Sequence, residues 1–139
     1  MNISEKKIKA DKSKDLLLQM FDAQKIVEED FATVEGFPER LVFGKLEHLH
    51  HPEVCRHIND HVLWRMVQEI VEATIALKNA KTWRQSKYLT DVHEYLDEVA
   101  DIMIYFINLC FASGITPELL VDSVLKKIEV NHDRIRSKY

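Results

Sequence analysis

The sequence predicts an all-α, four-helix-bundle-like domain, and three observations carry that expectation. Apolar side chains recur at three- and four-residue spacing along four separate stretches, which puts them on one face of a helix each time. Gly114 followed by Thr116-Pro117 has the chemistry of a helix stop and a new helix start, because glycine accepts the left-handed C′ conformation and proline suits the first helical turn. No convincing alternation of apolar and polar residues suggests a strand. The length of 139 residues fits a single domain over 1–139 with a hydrophobic core.

Residues 1–13 carry Lys6, Lys7, Lys9 and Lys12 among few apolar side chains and read as a solvated, flexible end. The first helix is expected over 15–33, where Leu17, Met20, Phe21, Val27 and Phe31 recur at helical spacing. Gln24 falls on that stripe. A buried amide must find hydrogen-bond partners, and it serves either the architecture or the reading of a ligand edge. Glu35-Gly36-Phe37-Pro38 punctuates the chain, and no period is sustained as far as His51, which marks a connector. The second helix is expected over 52–80, with Pro52 in its first turn and Ile58, Val62, Met66, Ile70, Ala73 and Leu77 inward. A basic, polar stretch over 78–88 contains Trp83. Asp91 and Glu94 then have capping-box spacing and open a third helix over 92–113. Its segment VADIMIYFINLCFA is apolar almost all round and belongs at the centre of a bundle. The fourth helix is expected over 117–136 with Leu120, Val124 and Ile128 inward.

With 23 acidic against 19 basic residues the formal net charge is -4, which gives no general case for binding nucleic acid or another polyanion. Cys55 and Cys110 are isolated and read as free thiols of a reducing compartment. The start lacks the apolar segment of a signal peptide, and no apolar stretch is long enough to span a bilayer, so a soluble, cytoplasmic protein without membrane contact is expected.

The chemistry concentrates in two acidic pairs, Glu69-x-x-Glu72 and Glu98-x-x-Asp101. An i,i+3 spacing stacks two carboxylates on one helical face, and two such helices placed antiparallel aim four carboxylates into one gap. Charges of one sign held that close need protons or hard cations between them, and an oxygen-rich set suits Mg²⁺ or Mn²⁺. Either pair alone would be an ordinary feature of a charged helix. Asp101 is set apart because an apolar run follows it, where an uncompensated buried charge is costly. Glu94 extends the second face backward and Tyr105 forward, although an acid in a first turn can simply face water or serve a cap.

Lys127, Asn131 and Arg134 repeat at i, i+4 and i+7 on the last helix, beside Lys126, and offer a basic and amide face that would suit phosphate. The plain alternative is a solvated helix with flexible cations. Cys55, His57 and His61, with His48, His50 and His51 nearby, could hold zinc, but structural zinc sites use paired cysteines and this segment has one. With 3 glycines there is no phosphate-cradling loop.

Taken in order, LLQMFDAQ with Gln24, QEIVE, LDEVADIMIYFINLCFASGITPELL and the closing KKIEVNHDRIRSKY resemble the dimeric, all-α deoxyuridine triphosphatases of the phage and bacterial type within the MazG-like nucleoside triphosphate pyrophosphatases. The resemblance covers most of 16–139. It implies Mg²⁺-dependent hydrolysis of dUTP to dUMP and pyrophosphate, with Glu69, Glu72, Glu98 and Asp101 as metal ligands. Gln68 stands where such enzymes often carry a further glutamate, leaving Glu69 and Glu94 as the candidates for activating water. Gln24 and Asn131 would recognise base or sugar, Trp83 would line the nucleoside side, and Lys127, Arg134 and Tyr139 would hold phosphates. A homodimer or higher homo-oligomer is implied too. Related enzymes prefer dCTP, dGTP or several deoxynucleotides, and a helical protein that senses nucleotides without cleaving them is the reading outside catalysis.

Overall fold

Asp15 starts the first helix: its backbone is extended and its carboxylate accepts from the Leu18 N–H at 3.0 Å. Such a cap is worth about 1 kcal/mol and opens α1 (Leu16–Glu35). The structure, a computed structural model, describes residues 10–78 and 89–137. Gly36, at φ 69°, closes α1 by donating to the Ala32 carbonyl.

The expected connector has more order than its sequence period suggested. It holds the short helix α2 (Glu39–Val42) and a 3₁₀ turn (Leu46–His50). Gly44 donates to the Phe111 carbonyl at 2.9 Å, and a Cβ at that position would collide with the Ala112 carbonyl, so only glycine lets the connector lie this close to the last turns of the central helix.

Pro52 occupies the first turn of α3 (Pro52–His57), as expected. The helix then widens into a π-helical stretch (Ile58–Leu63) and continues as α4 (Trp64–Ala76). Two corrections to the expected 52–80 helix follow. It is interrupted by a π stretch that no proline or glycine announces, and it ends at Ala76 because Leu77, at ψ 85°, leaves helical geometry. Residues 79–80, the last two of that expectation, lie outside the described residues.

Asp91 caps α5 (Val92–Ser113) by accepting from the His93 and Glu94 N–H groups at 2.8 and 3.3 Å. Gly114, at φ 72°, ends it, and the Thr116 hydroxyl accepts from the Leu119 N–H at 3.2 Å to open α6 (Pro117–Arg136). The chain bends by 109° between these last two helices. Among the described residues there is no strand, and the all-α expectation holds.

Helix α5 is central: α4 packs along it, and α1, α2 and the π stretch also contact it. One core cluster joins Val54, Ile58 and Val62 to Ala112, with Leu41, Leu63 and Leu109 packed around it. A second joins Phe21 to Ile107 and Cys110, with the Phe21 and Phe111 rings meeting edge to face at 5.6 Å. Cys110 is buried and Cys55 exposed, and both thiols are free.

The expected inward faces are only partly covered. Leu120 packs into the second cluster, but Val124 and Ile128 are 46% and 57% exposed: the bend carries α6 away, and among the described residues its contact with α1 leaves these two side chains uncovered. On α1, Phe21 is buried while Met20, Val27 and Phe31 remain exposed, and Ile70 and Leu77 are likewise exposed. Periodicity names the apolar face of a helix but not what covers it. Among the described residues no single helix is long and apolar enough to cross a membrane.

Candidate metal centre and adjoining cavity

Helices α4 and α5 bring the two acidic pairs to one place. Glu69, Glu72 and Glu98 each offer a carboxylate oxygen, and these oxygens lie within 4.8 Å of one another. Asp101 stands beside the three, close enough for its charge to push up the pKa of both Glu69 and Glu98. Among the described residues the ion pairs are Lys14–Asp11, Lys25–Glu29 and Arg40–Glu53, none of which reaches this cluster.

The electrostatics are those of a site short of positive charge. Glu98 is raised above the ordinary carboxylate value by burial, then by Glu72, Asp101, Glu69 and Glu94. Glu69 is raised by burial, then by Glu72 and Asp101, with Arg65 opposing. The Glu98 Oε2 atom is closed off from solvent without a hydrogen-bond partner. Leaving a carboxylate oxygen orphaned is unfavourable, and a hard cation between the three carboxylates would satisfy it. The donor set therefore fits Mg²⁺ or Mn²⁺: all oxygen, on two rigid helices, with space on the cavity side.

That cavity has a volume of about 510 Å³ and runs from Glu69 and Asp101 to Phe37 and Leu41. Three helices each contribute a file of side chains. Helix α1 supplies Gln24, Glu28 and Phe31; α5 supplies Asp101, Tyr105 and Asn108. The third file is His57, His61, Arg65 and Glu69, spaced by four across α3, the π stretch and α4.

The π stretch is what keeps this third file straight. In an uninterrupted α-helix of about 3.6 residues per turn, each step of four overshoots by about 40°, and His57 and Glu69 would face about 120° apart. One extra residue taken up by i→i+5 bonding removes about 100° of that drift. His57 and Glu69 thus face the same cavity.

The His57 and His61 rings lie 4.8 Å apart, and Phe37 meets them edge-on at 5.5 and 5.8 Å. Burial, then His61, lowers the His57 pKa, which favours the neutral imidazole. The zinc alternative gains nothing here: Cys55 donates to the Leu49 carbonyl at 3.1 Å, His48 Nδ1 accepts from the Lys45 N–H, and His57 and His61 belong to the cavity wall.

On the opposite wall, Gln24 donates through Nε2 to Glu28 Oε1 at 3.1 Å and to Asn108 Oδ1 at 3.0 Å, and Asn108 Nδ2 donates to Glu28 Oε1 at 2.9 Å. The expected role for Gln24 thus has a structural setting, with partners the sequence reading did not find. Glu28 sits in the charged run Glu28-Glu29-Asp30, which resembles a solvated face, while Asn108 was visible as the one amide in an apolar helix. Burial raises the Glu28 pKa, opposed by the hydrogen bonds from Gln24 and Asn108.

The remaining candidates stand elsewhere. Glu94 is exposed in the first turn of α5 and touches the cluster only through its charge on Glu98. Lys127, Asn131 and Arg134 are exposed on α6, and the cavity has no lining from that helix. Trp83 and Tyr139 lie outside the described residues. Comparison with protein families, with characterised proteins and with solved structures finds no match to this chain.

Proposed function

We propose that this chain is a Mg²⁺-dependent pyrophosphohydrolase that converts a deoxynucleoside triphosphate to its monophosphate and pyrophosphate. One observation carries the reading: a carboxylate triad with an orphaned oxygen reaches, through Glu69, a cavity walled by aromatic rings on one side and an amide–carboxylate network on the other. Such a volume accommodates a nucleoside, whose phosphates would then lie toward the acids. Glu69, Glu72, Glu98 and Asp101 would hold the metal, Mn²⁺ serving as an alternative to Mg²⁺. The metal, when bound, supplies charge neutralisation at the phosphates and a lowered pKa for an attacking water. Glu69 faces both cluster and cavity and is better placed than Glu94 to orient that water. Arg65, four residues before Glu69 on the same file, offers the cavity a positive charge for phosphate oxygens.

dUTP is the substrate that the sequence resemblance implies, with dCTP, dGTP or mixed preference in related enzymes. The resemblance also implies a dimer or higher oligomer, and the exposed Val124, Leu125 and Ile128 on α6 support a partner copy over that face. Lys127, Asn131 and Arg134 would then act from within such an assembly. Incubation of the purified protein with each dNTP and Mg²⁺, with products separated by ion chromatography, tests the reaction. Equimolar pyrophosphate and monophosphate are expected. Stepwise orthophosphate with a diphosphate intermediate would overturn the cleavage position, and no turnover of any dNTP would favour a nucleotide-sensing protein.

A further inference from the structure

The hydrogen bonds on the α1–α5 wall leave a defined edge for a ligand. Gln24 spends both N–H groups, one on Glu28 Oε1 and one on Asn108 Oδ1. Asn108 spends one N–H on the same Glu28 oxygen. Because both amide nitrogens face that carboxylate oxygen, turning either amide over would set oxygen against oxygen, so the pattern fixes both amide orientations. Among the described residues Glu28 Oε2 and Gln24 Oε1 have no hydrogen-bond partner, and neither is sealed from solvent as Glu98 Oε2 is. One Asn108 N–H is likewise unspent. All three residues line the cavity. The edge therefore offers two acceptors beside one donor.

We propose that Glu28, oriented by Gln24 and Asn108, is the base-specificity residue of this site and selects an amidine edge: an exocyclic amino group next to an unprotonated ring nitrogen. Cytosine and adenine share that edge. The amino group gives its two hydrogens to Glu28 Oε2 and Gln24 Oε1, and the ring nitrogen accepts from Asn108. Uracil fits worse in either register. Its carbonyl O4 meets the two acceptors, or its ring N–H takes Glu28 and leaves Gln24 Oε1 unpaired. A difference of one hydrogen bond in a desolvated site corresponds to about tenfold in affinity. The inference rests on the nucleotide reading above and changes the base that the resemblance implies, not the chemistry.

Two measurements separate the inference from that reading. The first is binding of 2′-deoxycytidine, 2′-deoxyadenosine and 2′-deoxyuridine followed by NMR shifts, which needs neither metal nor turnover. The second is kcat/KM for dCTP, dATP and dUTP with Mg²⁺. At least one amino base should exceed uracil by about tenfold in both, and the better of the two identifies the ring. Glu28→Gln should bring the ratio toward unity, since its amide can donate to O4. Should that variant unfold, N4,N4-dimethyl-2′-deoxycytidine tests the same contact on the wild-type protein, and loss of the cytosine preference is expected. Equal or stronger uracil binding by the wild type, or an unchanged ratio in a folded E28Q protein, would overturn the inference even if dNTPs are hydrolysed. Amino-base preference without hydrolysis would uphold it and overturn the catalytic reading alone.

Discussion

Exchanging Glu69 for Gln should move stability in opposite directions with and without Mg²⁺. The substitution removes one negative charge from three carboxylates whose oxygens lie within 4.8 Å of one another. Two unit charges at that separation repel by about 0.9 kcal/mol at the dielectric constant of water. Counterions reduce this at a site close to solvent, so the two neighbours together contribute about 1 kcal/mol after screening. Metal-free E69Q should therefore be the more stable protein, by about 3 °C in Tm for a chain of this length. Saturating metal reverses the ranking. At 100 times its Kd, Mg²⁺ stabilises the wild type by about 2.7 kcal/mol. Outer-shell partners alone are worth about 10–100-fold in metal affinity, and a lost ligand belongs at the upper end. A hundredfold weaker site leaves about 0.4 kcal/mol of stabilisation at the same Mg²⁺ concentration. Thermal unfolding of both proteins in EDTA and in MgCl₂ reads the crossing. An E69Q protein that is less stable in EDTA yet keeps the full Mg²⁺ shift would refute the assignment of these carboxylates to a cation.

The raised pKa values of Glu69 and Glu98 give a pH prediction with a definite sign. The native state takes up these protons more readily than the unfolded chain, so their contribution is fully present below the ordinary value of 4.5 and is lost as pH rises through the raised native pKa. Urea midpoints in EDTA should gain from these groups as pH falls from neutral toward that value, and saturating Mg²⁺ should reverse the trend because protons then compete with metal. In the core, Phe21→Ala should cost about 3–5 kcal/mol in urea unfolding, since Phe21 is 4% exposed and its ring packs on Phe111. Gly36 and Gly114 share a positive φ, but a Cβ at Gly36 meets nothing within 4 Å whereas one at Gly114 comes to 2.5 Å from Lys45 Cα. Gly36→Ala should accordingly cost about 1 kcal/mol and Gly114→Ala clearly more; equal costs would mean that the connector moves freely against α5.

The acidic site was legible because its signal is local. An i,i+3 carboxylate pair declares its own geometry once the helix is known, and α4 and α5 set Glu69, Glu72 and Glu98 together, whereas Asp101, the fourth of the expected set, stands outside that group. Helix ends were legible for the same reason at Asp91, Gly114 and Thr116, where cap chemistry is written into one or two residues. The rest depends on tertiary placement. Glu28 is one of three consecutive acids, and the one local sign that sets it apart from Glu29, which pairs with Lys25 at the surface, is Gln24 four residues before it on the same face. The bond from the Asn108 amide, 80 residues away, is the tertiary contact that joins Glu28 to the α5 wall. The course of α6 was hidden too, since the bend of 109° decides whether Val124 and Ile128 are covered within the chain.

Position along the helices explains why the two ends of the cavity differ so much in chemistry. On α5 the file Asp101, Tyr105, Asn108 and Ala112 passes from charged to apolar within three turns, and the four-spaced file from Glu69 back through Arg65 and His61 to His57 passes from charged groups to imidazole rings in reverse chain direction. Running these two files side by side puts carboxylates with carboxylates at one end and rings with small apolar groups at the other. On the proposed reading, a ligand that satisfies both ends would itself be polarised, with anionic oxygens toward a metal held by the acids and a flat, hydrogen-bonding ring toward Gln24, Glu28 and Phe37. Free phosphate would leave the ring end unfilled, and an apolar ligand would make no use of the Glu69 and Asp101 carboxylates at the other end. Tyr105, where the two chemistries meet, has its hydroxyl pKa raised by burial first and by the Glu69 charge next. On the proposed reading, this gradient, more than any single residue, is what would favour a nucleotide over either of its halves.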